Sequence, residues 1–166
     1  MLDIGTGCGN IVISLAKNKP NWSFTAIDIS EQALKIAKIN AANHKIKNIQ
    51  FIQSDLFSNL DLKKKFDIIV SNPPYVSSKE YKKLSFPTKE QPQEALLAAN
   101  SGYFFYSEIF RQARNFLAQK FLLIVEIGYR QAKKVIKLII ENFPNAEVSI
   151  FQDYAAHSRA TAIYQL

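Results

Sequence analysis

Cysteine is nearly absent from this sequence: Cys8 stands alone in 166 residues. No internal disulfide can form, which fits a reducing, cytoplasmic setting. With no Cys or His at metal-ligand spacing, a metal centre is not expected. Cys8 lies in a glycine-rich loop, where a small side chain is all that is asked for, so it is not read as a nucleophile. Histidine is almost as scarce. His44 reads as a helix-end residue and His157 as part of a late loop, both structural, so no histidine base is on offer. No apolar run approaches the ~18 residues that span a bilayer, and Asp3 with its neighbouring glycines interrupts any signal-like stretch. An arginine-rich stripe interleaved with aromatics is missing too. The net charge is +7, yet Lys63-Lys64-Lys65, Lys82-Lys83 and Lys133-Lys134 are scattered and read as solvated faces and loops. Neither a membrane nor a stably bound nucleic acid is expected, and the chain reads as a monomer without repeats or low-complexity tracts.

What is present alternates strand with helix. Strands are predicted near 2–4, 23–28, 49–53, 66–71 and 121–126, and helices near 10–18, 30–43, 103–117 and 130–142. Segments 146–151 and 159–166 alternate like an antiparallel pair. The class is α/β: a doubly wound, mostly parallel seven-stranded sheet with helices on both faces and the last strand antiparallel. In the second helix Ala33, Ile36, Ala37 and Asn40 are expected to form a buried stripe. A loop from Pro73 to about Thr88 separates the two halves. At this length one core is expected, spanning residues 1–166 as one domain.

Three segments carry chemistry. The first is Met1-Leu2-Asp3-Ile4-Gly5-Thr6-Gly7-Cys8-Gly9-Asn10, a short strand running into a Gly-x-Gly-x-Gly turn and then a helix. Glycines there let the backbone approach a ligand closely. The dinucleotide fingerprint wants its third glycine at position 10, where this chain has Asn10. Asp3, on the strand before the turn, suits an ammonium group better than a pyrophosphate, which favours S-adenosylmethionine over a nicotinamide nucleotide. The second is Asp28, the acidic end of the second strand, about 20 residues past the turn, where a carboxylate can accept two ribose hydroxyls. The alternative is that Asp28 merely begins the next helix; the two roles are compatible, because the cap belongs to Ser30 and leaves the Asp28 carboxylate free. The third is Asn72-Pro73-Pro74-Tyr75, after the apolar run Phe66–Ser71. Two prolines without N–H groups make a stiff rim of acceptors beside an aromatic face, the surroundings that hold a planar –NH2 group. A proline-stiffened turn without chemistry has the same look.

Together these segments resemble class I methyltransferases that modify amino nitrogens. Pro92-Gln93-Glu94-Ala95-Leu96, Gly102, Tyr106, Glu126-Ile127-Gly128, Gln131, Asp153 and Arg159 fall in the order of one subgroup, the HemK/PrmC-type glutamine methyltransferases of peptide-chain release factors. The resemblance covers essentially the whole chain, although the Asn-Pro-Pro-Tyr tetrapeptide alone is shared with adenine methyltransferases of DNA and RNA. It implies a Rossmann-like methyltransferase fold with S-adenosyl-L-methionine as cofactor and a release factor as protein substrate. It implies that Asp3, Gly5, Thr6, Gly7 and Gly9 line the methionine end of the cofactor, that Asp28 holds the ribose, and that Ile29 lies along the adenine. Asp55 would meet the adenine amino group with Leu56 on the ring; a simple turn aspartate explains Asp55 equally well. Asn72 would touch both cofactor and acceptor: its Oδ1 and the Pro73 carbonyl would take the two acceptor-amide hydrogens, while Pro74 and Tyr75 wall the substrate pocket. Glu126 and Arg159 read as buried polar residues near strand ends, for which a structural ion pair or cap is at least as good an explanation as catalysis.

The chain departs from that pattern at Gln91-Pro92 (with Glu90 one place early), at Ala98-Ala99, and at Ala156 in place of a loop glycine. If that loop needs φ > 0, Ala156 is strained by roughly 1–2 kcal/mol. Members of the family carry an N-terminal helical domain and linker. This sequence opens on the first strand, a poor edge without residues before it; it is expected to be a fragment holding the catalytic domain, with a naturally reduced version as the alternative. The competing functions are an adenine-N6 methyltransferase and a non-catalytic remnant that binds cofactor or a partner.

Overall fold

A computed structural model describes residues 1–76, 81 and 102–166. The expectations at Lys82-Lys83, at residues 90–96 and at Ala98-Ala99 lie outside the described residues, as does the long loop beyond Val76 apart from Tyr81. Strands β1 (Leu2–Ile4), β2 (Phe24–Asp28), β3 (Ile49–Gln53), β4 (Phe66–Ser71), β5 (Leu117–Glu126), β6 (Glu147–Gln152) and β7 (Ser158–Gln165) form one sheet in the order β3-β2-β1-β4-β5-β7-β6. The first five are parallel, and β7 runs antiparallel to both β5 and β6. Helices α1 (Asn10–Asn18), α2 (Glu31–Asn43), α3 (Phe104–Ala113) and α4 (Ala132–Asn142) connect them. The expected seven-stranded α/β architecture is therefore the observed one.

Alternation along the strands splits the core between the two faces. Phe24 and Ala26 of β2 pack with Val12, Ile13 and Ala16 of α1 and Ala41 of α2. Leu2, Ile4, Ile27, Ile69, Leu123 and Val125 face the other way, onto Tyr106, Ile109 and Phe110 of α3 and Val135 and Ile139 of α4. Leu2 and Ile4 share one face, so Asp3 between them points to the α1 side.

Three details differ from expectation. β1 is no edge: it pairs with β2 on one side and β4 on the other. The buried residues of α2 are Leu34, Ala37 and Ala41, and Ile36 is 45% exposed. A spacing of three to four residues fits both sets; the bulky leucine takes the core side, and Asn40 turns to the glycine turn. Helix α3 ends at Ala113, four residues before the expected 117, because β5 already starts at Leu117. Phe66 N–H donates to Phe116 O (2.7 Å), and a bulge between Phe66 and Ile68 absorbs the extra β5 residues before Ile68 meets Leu122. Among the described residues, no helix is long and apolar enough to cross a membrane.

Candidate active site

Register brings the three motif segments to one edge. Ile4 pairs with Ile27 on one side and Ser71 on the other, so Gly5, Asp28 and Asn72 leave the sheet side by side. This is the carboxyl edge at the point where the strand order reverses between β1 and β4, the usual ligand crevice of a doubly wound sheet.

The turn after β1 is held from below. Thr6 N–H donates to Ile27 O (3.0 Å), Gly9 N–H to Thr6 O (2.9 Å), and Asn40 Nδ2 of α2 to Cys8 O (2.9 Å). Gly5 and Gly7 have φ of +67° and +56°, and a Cβ added to either would meet nothing within 4 Å. That open, side-chain-free space is a cradle a ligand can fill. Gly9 differs: a Cβ there would stand 2.7 Å from Ile13 Cδ1 and 3.3 Å from Ala37 Cβ, so its bareness serves the seating of α1 on α2.

Asp3 lies beneath the turn, 1% exposed. Its Oδ2 accepts the Thr6 hydroxyl at 2.7 Å, while Oδ1 has no hydrogen-bond partner. Burial pushes its pKa up to about 6, and the charge of Asp28 adds to the rise; the Thr6 hydroxyl and the Val12 backbone N–H hold it down in part. A buried acceptor left without a donor is costly. A cationic ammonium at the glycine cradle would satisfy it, so these residues fit the amino-acid end of S-adenosylmethionine.

Asp28 requires a correction. Its carboxylate is not free: Oδ2 accepts Gly7 N–H (2.8 Å) and Oδ1 accepts Ser30 N–H (2.9 Å). Ser30 caps α2 as expected, accepting Ala33 N–H at 3.2 Å. The carboxylate thus ties the glycine turn to the start of α2, and about two of its roughly four acceptor positions remain for ribose hydroxyls. Beside it Ile29 is 63% exposed, an apolar platform at the rim. Leu56, half-buried with φ +47°, sits in a turn organised by Ser54, whose Oγ donates to Leu56 O (2.7 Å) and accepts Asn59 N–H (3.0 Å). Asp55 is exposed in this turn at the carboxyl end of β3.

On the other side of β1, Ser71 Oγ donates to Ile4 O (3.0 Å), locking β4 to β1 where the rim begins. Asn72 is exposed, Pro73 buried, and Pro74 and Tyr75 half-buried. The Tyr75 hydroxyl donates to Glu126 Oε1 at 3.3 Å; burial, then the Glu126 charge, raises the Tyr75 pKa. Glu126 is therefore a partner of the rim tyrosine. Arg159 is not buried: its side chain is 41% exposed, and its Nε donates to Asp153 Oδ2 at 2.8 Å. It braces the β6–β7 turn, where Asp153 also accepts the N–H groups of Ala155 and His157. In that turn Ala156 has φ +60°.

Sequence reasoning gave no role to Gln131, whose Nε2 donates to Tyr75 O at 2.9 Å, and read Asn40 only as part of a buried helix stripe, not as a support of the glycine turn. Among the described residues no group of His, Cys, Asp or Glu could hold a metal ion. A groove of about 750 Å³, lined by Met1, Trp22, Lys47, Lys64 and Phe66 among others, opens at the opposite, amino-terminal edge of the sheet. It contains none of the residues predicted to hold cofactor or acceptor.

Known proteins are similar to this chain in sequence and in fold. The release factor glutamine methyltransferase of Fusobacterium nucleatum is 44% identical over 160 residues, covering 96% of this chain and 45% of that protein. The one from Buchnera aphidicola is 42% identical over 161 residues, covering 97% of this chain and 57% of that protein. This chain thus spans about half the length of these curated relatives. The solved structure of ribosomal protein L11 methylase from Lactobacillus delbrueckii subsp. bulgaricus superposes with a TM-score of 0.66 at 24% identity, over 98% of this chain and 67% of that one. A methyltransferase-domain model matches residues 1–159, which takes in the glycine turn, Asp28, the Asn72 rim and the β6–β7 turn. The chain belongs to the methyltransferase domain family.

Proposed function

We propose that this chain is the catalytic unit of a protein-glutamine N5-methyltransferase, moving a methyl group from S-adenosylmethionine to the glutamine of the Gly-Gly-Gln motif of peptide chain release factors. The observation that carries the reading is the placement of Asn72, an exposed amide on a proline-stiffened rim, one strand away from the Gly5–Gly7 cradle. Relatives named as release factor glutamine methyltransferases support the choice of acceptor. A cytoplasmic setting goes with it, resting on the lone exposed thiol of Cys8.

The cofactor supplies an electrophilic methyl on a sulfonium. Asp3 and the bare backbone of Gly5, Thr6 and Gly7 receive its amino-acid end, Asp28 its ribose, and Ile29, Asp55 and Leu56 its base. An amide nitrogen is a poor nucleophile, since its lone pair is delocalised into the carbonyl. Asn72 Oδ1 and Pro73 O accept its two hydrogens, aim the lone pair along the line of transfer and stabilise the charge that grows on nitrogen. Tyr75 walls the glutamine stem. The N–C bond forms as the S–C bond breaks, and the nitrogen then loses its proton to water, so no strong base is needed. Positioning of this kind is worth up to about 7–11 kcal/mol.

Methyl transfer from labelled S-adenosylmethionine to a purified release factor tests the reading, with a Gln→Ala tip variant, RNA and DNA as competing acceptors. Label is expected on the wild-type release factor alone, and Asn72→Ala should abolish it while cofactor still binds. Label on nucleic acid would establish the adenine enzyme instead. Cofactor binding without any transfer would make the chain a binding remnant.

A further inference from the structure

The Asn72–Tyr75 rim is fixed at both ends, and its far anchor is a side chain with no assigned role. Gln131, the residue before α4, is 8% exposed. Its Nε2 donates to Tyr75 O (2.9 Å) and Gly102 O (3.4 Å), and its Oε1 accepts the Tyr106 hydroxyl (2.9 Å) and Gly128 N–H (3.1 Å). Two hydrogens and two lone pairs are thereby all engaged. One amide thus joins the loop after β4, the entry to α3 and the turn after β5. Gly102 lies so close that an added Cβ would stand 2.4 Å from Tyr75 O. Tyr106 is fully buried, and burial raises its pKa well above the usual phenol range, so its hydroxyl stays a donor.

Between the two anchors the chain has little freedom. Ser71 is locked to Ile4 at one end. The next residues include Pro73 and Pro74, whose rings fix φ near −65°. Holding the Tyr75 carbonyl therefore sets where the Asn72 amide and the Pro73 carbonyl sit. We propose that Gln131 is a positioning residue for methyl transfer: its two N–H bonds hold the rim in the geometry that orients the acceptor nitrogen. This rests on the function proposed above.

Gln131→Glu tests it in the full chain, because it keeps size and acceptors but sets a carboxylate oxygen against the Tyr75 and Gly102 carbonyls. The expected result is a fall in kcat of about 100-fold, the scale of an ångström of misplacement, with cofactor Kd unchanged within about threefold. Ile139→Ala, fully buried on the same helix, destabilises the fold without touching the rim. Assayed where both variants are folded, it should keep kcat near wild type. Hydrogen exchange at the Asn72, Tyr75 and Val76 amides gives a readout free of any acceptor, and it should speed up in Gln131→Glu relative to Ile139→Ala. If Gln131→Glu does not fold, Gly102→Ala keeps the glutamine but sets a Cβ 2.4 Å from the Tyr75 carbonyl and 2.7 Å from Gln131 Nε2, wedging the pair apart, and should give the same loss. Wild-type kcat and exchange in a folded Gln131→Glu, or equal kcat losses in Gln131→Glu and Ile139→Ala, overturn the proposal. Exchange that responds as expected while wild type methylates no release factor leaves the positioning role standing and removes the acceptor assignment.

Discussion

At Asp3 the fold stores a cost that a ligand can relieve. The native pKa of about 6 lies above the ordinary carboxyl value of 3.8, so between roughly pH 4 and 6 the native state binds more protons than the unfolded one. Stability therefore falls as pH rises through that window, by about 2–3 kcal/mol in all, and levels off above it. Asp3→Asn should remove this fall in urea midpoints measured at pH 4 and 7.5. A cationic ligand favours the ionised carboxylate, so cofactor affinity followed by titration calorimetry should rise with pH through about 6 in the wild type and stay flat and weak in Asp3→Asn. Ala156 is the second residue-scale case. Its φ of +60° confirms the need for a left-handed residue there, and Ala156→Gly should raise stability by about 1 kcal/mol in chemical denaturation, less whatever entropy glycine returns to the unfolded chain.

At the scale of elements, helix α2 does more than cover the sheet. Its first residues are set by the Ser30 cap and by Asp28, and Asn40 on its last turns grips the glycine turn through Cys8 O. Asn40→Ala should cost about 1 kcal/mol, the net worth of a hydrogen bond, and should weaken cofactor binding more than an equally destabilising change in α4; equilibrium dialysis separates the two. The strands and helices were legible because apolar periodicity and glycine or proline punctuation are local signals, and the rim at the end of β4 was legible because Asn-Pro-Pro-Tyr announces itself in four residues. What was not legible depended on closure across the chain. The bonds of Gln131 span up to 56 residues, and Gly7 reaches Asp28 across 21. Nothing in a local pattern says that a glutamine will find two carbonyls, or that a ribose-type carboxylate will first be taken up by backbone amides. The choice between Leu34 and Ile36 in α2 was likewise made by which side chain the fold buries, not by spacing.

The whole molecule divides into an interior and two flanks. Among the described residues, β1, β4 and β5 are paired on both sides, whereas β3 and β6 each pair with one neighbour and have only half-buried or exposed residues. Amide exchange in the native protein should be slowest in β1, β4 and β5, faster in β3 and fastest in β6, as expected when opening free energy follows burial. The site lies at the carboxyl ends of the slow strands, so the geometry of the glycine cradle and the Asn72 rim is anchored in the most persistent part of the fold.

The position of β7 also bears on how such a chain is made. Ser158–Gln165 lies between β5 and β6, yet it is translated after both. While the nascent polypeptide is still leaving the ribosome, β6 has no strand to join and the flank of β5 is open, so vectorial folding stops short of a closed sheet until β7 emerges. Through that interval the unpaired edges are the ones that chaperones must shield from neighbouring nascent chains.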